Sequence, residues 1–221
     1  MLIIFDLDDT IIDTSGSILP YKLEAGLKAM CEKGLIFQNR EKALAMLSSI
    51  DAGSESTKIA LKEFLEIHQA DPSYLDHACQ VIYRQGDFLH PVAQTKGAYS
   101  SLMELSKTHT LAIVSAGIRE IQFEKLKKAG IDTSIFSRIV ICEELGKKEC
   151  YLNLLEDLMF LPSEVVVCGD RVRRDLSPGK ELGFTTIHMK WGRGLQSHGD
   201  EADVDYSIYS LEQVKPILMQ L

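Results

Sequence analysis

The chain has no run approaching the roughly 20 consecutive apolar residues that a membrane span needs, so a membrane protein is not expected. Its apolar opening, Met1-Leu2-Ile3-Ile4-Phe5, lacks a basic flank and meets an acid at Asp6. That stretch is too short for the core of a signal peptide, and a cytoplasmic protein is expected. Basic charge is also in deficit: 24 Lys and Arg face 32 Asp and Glu, a formal net charge of −8. This balance argues against a nucleic-acid partner, which calls for a net-basic domain or a basic stripe. It sits awkwardly with an anionic ligand too. Cysteine pairs of the C-x-x-C kind are absent; Cys31, Cys79, Cys142, Cys150 and Cys168 are odd in number and scattered. They read as free, mostly buried thiols in a reducing compartment. The 6 histidines lack H-x-x-x-H spacing, which disfavours a zinc site. No internal repeat or low-complexity segment is visible.

What remains is a globular composition, 45% apolar and 25% charged. Short apolar runs read as strands: Leu2–Leu7, Leu111–Ser115, Arg138–Cys142, Glu164–Gly169 and Thr185–Met189. They do not alternate, so both faces of the sheet are expected to be covered, as in a parallel sheet. Helical patterns lie between them at Ala98–Ser106, Arg119–Ala129, Cys150–Met159 and Arg174–Leu182. In the second of these, Ile121, Leu126 and Ala129 are the candidate core positions. Strands alternating with helices predict a doubly wound α/β domain. About a hundred residues separate the first two strands, where a crossover needs about a dozen. Within that interval Tyr21–Glu32, Glu41–Ile50, Ser56–His68 and Ser73–Arg84 read as helices. Gly34, Asn39, Gly53, Asp71-Pro72 and Gly86 mark junctions, with Pro72 expected in the first turn of the last helix. The insertion, residues 16–92, is therefore expected to be a small helical bundle, and residues 1–15 and 93–221 the α/β domain.

Four segments carry chemistry. Asp6-Leu7-Asp8-Asp9-Thr10 closes the first strand, at the edge where open α/β sheets bind ligands. Side chains at i and i+2 of an extended segment share a face, so Asp6 and Asp8 can converge on a cation. The same cluster reads equally as a solvated turn whose acids cap backbone amides. Ser115-Ala116-Gly117, at the second strand end, can offer donors to a phosphate oxygen, or can be an ordinary capping serine. Gly146-Lys147-Lys148 precedes a helix; a fixed ammonium there could neutralise a phosphoryl group, though paired lysines are commonly solvated. Gly169-Asp170-Arg171-Val172-Arg173-Arg174-Asp175 follows the fourth strand. Asp170 can bind a metal and Asp175 can orient metal-bound water, or Asp175 can be a helix N-cap. The three arginines are expected to face solvent. Trp191, in a glycine-rich loop, either edges the site or anchors the loop. Asp13 is expected to serve a turn.

In this order, the four segments resemble the motifs of the haloacid dehalogenase-like (HAD) superfamily of phosphohydrolases. Asp6-Leu7-Asp8-Asp9-Thr10 is similar to its Asp-x-Asp-x-Thr motif, Ser115 to its Ser/Thr motif, Lys147 or Lys148 to its lysine motif, and Gly169-Asp170…Asp175 to its acidic motif. The resemblance implies a Rossmann-like core, with the helical insertion as a cap. It implies that Asp6 is the nucleophile and forms an aspartyl-phosphate. Asp8 is implied as general acid and then base, with Ser115 and Lys147 on the phosphoryl group. Mg²⁺ would be held by Asp6, the backbone carbonyl of Asp8, and Asp170, with Asp175 on its water. An aromatic four residues on, Tyr151, favours Lys147 over Lys148. The implied activity is a phosphatase acting on a small phosphorylated metabolite, as a monomer or homodimer, with no membrane or nucleic-acid partner. A phosphomutase of the same fold and a non-catalytic phosphate-binding regulator are the alternatives.

Overall fold

The computed structural model describes residues 1–83, 91–142 and 146–221. They divide into two compact units, one of residues 1–14 and 91–221, the other of residues 15–90. In chain order the elements are β1 (Leu2–Phe5), α1 (Thr14–Ser17), α2 (Leu19–Glu32), α3 (Arg40–Gly53), α4 (Thr57–Ile67) and α5 (Tyr74–Ile82). Then come α6 (Ala98–Leu105), β2 (Thr110–Ala116), α7 (Arg119–Lys128), β3 (Phe136–Cys142), α8 (Lys147–Leu158) and β4 (Val165–Gly169). The chain ends with α9 (Ser177–Glu181), β5 (Thr185–Met189), β6 (Tyr206–Ile208) and α10 (Val214–Leu218). The expected end of α5 at Arg84 and the junction at Gly86 lie outside the described residues.

The first unit is a six-stranded sheet of order β3-β2-β1-β4-β5-β6. Every pairing in it is parallel. Leu2, Ile4, Ala112, Val114, Val165 and Val167 form one face, packed against Cys150, Tyr151, Leu154 and Leu155 of α8 and against Phe184. The alternate residues Ile3, Phe5, Leu111, Ile113, Val166 and Cys168 are equally buried. Burial on both faces explains why these strands read as unbroken apolar runs. Each such side chain removed from water contributes about 1.5–3 kcal/mol, which makes the sheet the stable platform of the unit.

The second unit is all-helical among its described residues. Leu23, Leu27 and Met30 of α2, Leu47 of α3, and Leu61 and Phe64 of α4 form its core. Local signals start its helices: the Asn39 side chain accepts from Lys42 N at 2.9 Å, and Ser56 Oγ from Ile59 N at 3.3 Å, the N-cap pattern. Phe37 and Phe64 each meet His68 edge to face and are tilted against each other.

Several details depart from the sequence reading. Pro72 lies in the turn ahead of α5 rather than in its first turn, because Asp71 folds its carboxylate back onto Ser73 N at 2.8 Å. Gly53 is the last residue of α3 and not a separator. The stretch expected as one helix, Arg174–Leu182, is a π-helical turn (Val172–Leu176) followed by α9. Strand β6 was not anticipated; at 3 residues it is too short for periodicity to register. On α7, Ile121 is only half-buried and Gln122 takes the interior position beside Leu126 and Ala129. Cys142 and Cys150 are joined as a disulfide, which corrects the expectation of five free thiols; Cys31, Cys79 and Cys168 are free. Both partners belong to the apolar layer between sheet and α8, where their Cα atoms lie 6.6 Å apart. No described helix is long and apolar enough to cross a membrane.

Candidate active site

The strand order reverses between β1 and β4, and ligands of open α/β sheets bind outside the carboxyl ends of the strands at such a point. Asp6 follows β1 and Asp170 follows β4, so the topology alone puts one carboxylate on each side of it. Asp6 N continues the ladder by donating to Cys168 O at 2.9 Å. The third acid comes from the π-helical turn, a feature often found at functional sites. Asp175 folds back against Gly169, where a Cβ would stand 2.5 Å from the Asp175 Cβ and 2.7 Å from its Oδ2, so a side chain at 169 would displace it. Asp175 Oδ2 accepts from Arg171 N at 2.8 Å. One oxygen from each of Asp6, Asp170 and Asp175 lies within 4.8 Å of the others, and all three residues are buried.

Lys147 stands among them. Its Nζ donates to Asp6 Oδ1 at 2.6 Å and to Asp175 Oδ1 at 2.7 Å, with only 7% of the side chain exposed. Tyr151, one turn along α8, donates its hydroxyl to Asp175 O at 3.1 Å. Lys148 points elsewhere and pairs with Glu181 at the surface. The geometry therefore places Lys147, and not Lys148, in the cluster. Asp170 is braced from three sides. Arg171 Nε is 3.4 Å from its Oδ2, and its carbonyl lies 3.1 Å from His188 Nε2. Gly194 packs against it closely: a Cβ there would lie 3.1 Å from the Asp170 Cβ, and 2.2 Å from Met189 O.

Asp8 belongs to a second group. Its Oδ1 accepts from Thr14 Oγ1 and, at 2.7 Å, from Lys125 Nζ. Its Oδ2 accepts from Gln122 Nε2 at 2.9 Å. The same Gln122 amide reaches Ser115 Oγ at 2.7 Å and Ala116 O at 3.0 Å. The extended geometry expected to carry both acids onto one face ends at Phe5, and Asp9 turns the chain with a φ of 53°, a left-handed conformation that aspartate tolerates. The loop thus sends the Asp6 carboxylate to the acid cluster and the Asp8 carboxylate toward α7.

These surroundings push the two acids in opposite directions. Burial raises Asp6 to about 7; Lys147 works against it, while Asp175 and Asp8 add to it. Burial also raises Asp170 well above the ordinary carboxylate range, reinforced by Asp175 and Asp6. For Asp8, burial is overcome by the Lys125 ammonium and by hydrogen bonds from Lys125, Thr14 and Gln122, which bring it down to about 2. Lys147 is desolvated as well, yet Asp175 and Asp6 raise it and hold it as an ammonium.

A stability prediction follows for the protein in EDTA. A raised folded-state carboxyl contributes stability below its unfolded value and loses that contribution as pH rises through the folded value. His188 and His109, both lowered by burial, act in the opposite sense, but only below their ordinary value of 6.5. Between about pH 6.5 and 8 the carboxyls decide. The melting temperature should fall across that window, and a divalent cation at pH 8 should restore it; a flat or rising curve in EDTA counts against this electrostatic reading.

A divalent cation fits the cluster. The donors are hard carboxylate oxygens, and three buried acids carry more negative charge than Lys147 and Arg171 neutralise, which suits Mg²⁺. Among the residues singled out in the sequence, Asp6, Lys147, Asp170 and Asp175 come together, and Asp8 and Ser115 meet through Gln122. Gln122 and Lys125 were not anticipated. Of the arginines, Arg173 and Arg174 are exposed, but Arg171 turns inward because Asp170 offers a buried charge to pair. Trp191 Nε1 donates to Asp13 Oδ1 at 2.9 Å, tying its loop to the segment after β1.

The chain is 30% identical to a glyceraldehyde 3-phosphate phosphatase of Methanocaldococcus jannaschii, over 99% of this chain and 97% of that one. A protein of the same name from Methanothermobacter thermautotrophicus is 25% identical, over 98% of each chain. Among solved structures, the fold is similar to that of YfnB from Bacillus subtilis, described as a HAD-hydrolase bound to magnesium. The TM-score is 0.70 at 18% identity, covering 98% of this chain and 97% of that one. The profile of the family described as haloacid dehalogenase-like hydrolase matches residues 3–189, the greater part of the sequence, and the chain belongs to that family.

Proposed function

We propose that the protein is a Mg²⁺-dependent phosphomonoester hydrolase that acts on a small phosphorylated metabolite through an aspartyl-phosphate. The observation that carries this reading is the division of labour between the two acids of one loop. Asp6 sits with a cation and two further acids, whereas Asp8 sits apart with donors of its own. In this reading Asp6 attacks phosphorus with its free oxygen while Lys147 holds the other. The bond from phosphorus to the alcohol oxygen breaks, and that oxygen takes a proton from Asp8. Asp8 begins as a carboxylate, and the proton it delivers is taken up when a phosphate anion binds beside it, since a second negative charge raises a carboxyl's proton affinity. Water then attacks the aspartyl-phosphate and gives a proton to Asp8. The bond from phosphorus to Asp6 breaks, releasing phosphate. Ser115 accepts from Gln122, which leaves its hydroxyl proton for a phosphoryl oxygen. Asp6, Asp170 and the Asp8 carbonyl would hold Mg²⁺, with Asp175 on its water; the ion would offset charge on the phosphoryl group.

The relatives named glyceraldehyde 3-phosphate phosphatase support a three-carbon phosphate as the first substrate to try. The helical unit interrupts the chain after the first motif, and we assign it the part of a substrate-selecting cap. Phosphate release should be measured over a panel that includes glyceraldehyde 3-phosphate, p-nitrophenyl phosphate and hexose 1-phosphates. The expected result is release that needs Mg²⁺ and stops in EDTA. Undiminished release in EDTA, or conversion of hexose 1-phosphate to the 6-phosphate with no free phosphate, would overturn the reading.

A further inference from the structure

Helix α7 is strongly polar, and Gln122 and Leu126 are its buried residues. Gln122 is only 2% exposed, and its amide is given to Asp8, Ser115 and Ala116. Gly117 takes a φ of +133°, a conformation that favours glycine, and a Cβ there would make only ordinary contact, 3.5 Å from the Gln122 Cδ. Lys125 is three residues on, hence on the same face of the helix. Its side chain is 12% exposed and its Nζ is on the Asp8 Oδ1. Each oxygen of the Asp8 carboxylate therefore has a donor from one face of α7. Burying an amide and an ammonium is costly unless both are satisfied, and here the partners are site residues rather than the core.

Resting on the phosphatase reading above, we propose that Gln122 and Lys125 are positioning residues, which hold the Asp8 carboxylate in the orientation needed to pass a proton to the leaving alcohol. Gln122 also ties that orientation to Ser115, so the acid and the phosphoryl-binding hydroxyl are set by one helix. Neither residue needs to touch the substrate. In the step they serve, the bond from phosphorus to the ester oxygen breaks, the Asp6 oxygen takes its place on phosphorus, and the Asp8 proton goes to the departing oxygen.

The test is the dependence on leaving group. The value of kcat/KM covers steps up to release of the alcohol, so it senses protonation of that alcohol. The p-nitrophenolate ion leaves with little help, whereas the alkoxide of glyceraldehyde 3-phosphate needs the proton. Lys125→Met should lower kcat/KM for glyceraldehyde 3-phosphate by about 100-fold. For p-nitrophenyl phosphate the fall should stay under about threefold. Gln122→Leu should act in the same direction, and Lys125→Arg should recover most of the selective loss. An equal fall for both substrates would mean that Lys125 binds the phosphoryl group or merely supports the fold, and it would overturn the proposal, as would no fall at all. Should Lys125→Met lack a cooperative melt, Lys125→Gln carries the same comparison. Wild-type protein that releases phosphate from neither substrate would instead defeat the phosphatase reading, before any variant is compared.

Discussion

Asp6→Asn protein should lose phosphate release by about 1,000-fold or more, because the proposed mechanism gives Asp6 the attack on phosphorus. The substitution is close to isosteric and keeps an oxygen for Lys147, so the loss reports chemistry rather than packing. It also removes one buried negative charge. Burial raises Asp6 to about 7, so the carboxylate is an unfavourable occupant of its site when no cation is bound. The variant is therefore expected to be at least as stable as wild type in EDTA at pH 8, and to gain less stability from Mg²⁺. Thermal melts with and without the ion, beside a phosphate-release assay, read both effects on one sample. An inactive variant that unfolds earlier than wild type in EDTA would point to a structural role for the carboxylate. Retained hydrolysis would remove Asp6 from the mechanism.

Lys147→Met should have the largest effect on stability. The ammonium is shared between Asp6 Oδ1 and Asp175 Oδ1 at 2.6 and 2.7 Å, and the side chain is 7% exposed. Methionine replaces its unbranched stem but not the terminal ammonium, and leaves those carboxylates facing each other and Asp170 without it. Breaking a buried charge pair from one side costs about 3–5 kcal/mol, since the remaining charge stays desolvated. Urea unfolding in EDTA should show a loss of that order. Saturating Mg²⁺ should return part of it by mass action. Phosphate release should fall by roughly 100- to 1,000-fold, as expected when a fixed cation is removed from a developing charge. Lys148→Met is the control: its partner is exposed, and such pairs contribute about 0–1 kcal/mol. Equal losses for the two variants would show that burial is not what makes Lys147 matter.

The strands were legible as apolar runs that meet a chemically distinctive residue, Asp6, Ser115 or Asp170, but not their ends: the first was expected to reach Leu7 and stops at Phe5, and the second runs on to Ala116. The choice between Lys147 and Lys148 stayed open in the sequence, with only Tyr151, four residues after Lys147, favouring the first. Burial separates them: Lys147 lies with Cys150, Tyr151, Leu154 and Leu155 on the buried face of α8, which the sequence alone does not mark. Gln122 and Lys125 carried no such signal. They lie 114 and 117 residues from the Asp8 they contact, on a helix whose composition reads as solvated charge. Nothing local distinguishes a glutamine turned toward a site from one turned toward water. The divergence of Asp6 from Asp8 was hidden as well, because it depends on the backbone at Asp9 and not on residue spacing. The Cys142–Cys150 bond escaped for a related reason: a separation of 8 residues names a pair only when the turn between them is known.

The central place of β1 has a consequence for how the protein is made. Leu2 pairs with Thr110 on one side and with Val165 on the other, so β1 is synthesised ahead of both its neighbours and receives the second only after the helical unit, β2 and β3 have followed. Until β4 emerges, Asp6 has neither Asp170 nor Asp175 beside it. The proposed nucleophile therefore waits longest for its neighbours, and a nascent chain halted before Val165 lacks two of the three acids that the proposal assigns to the metal.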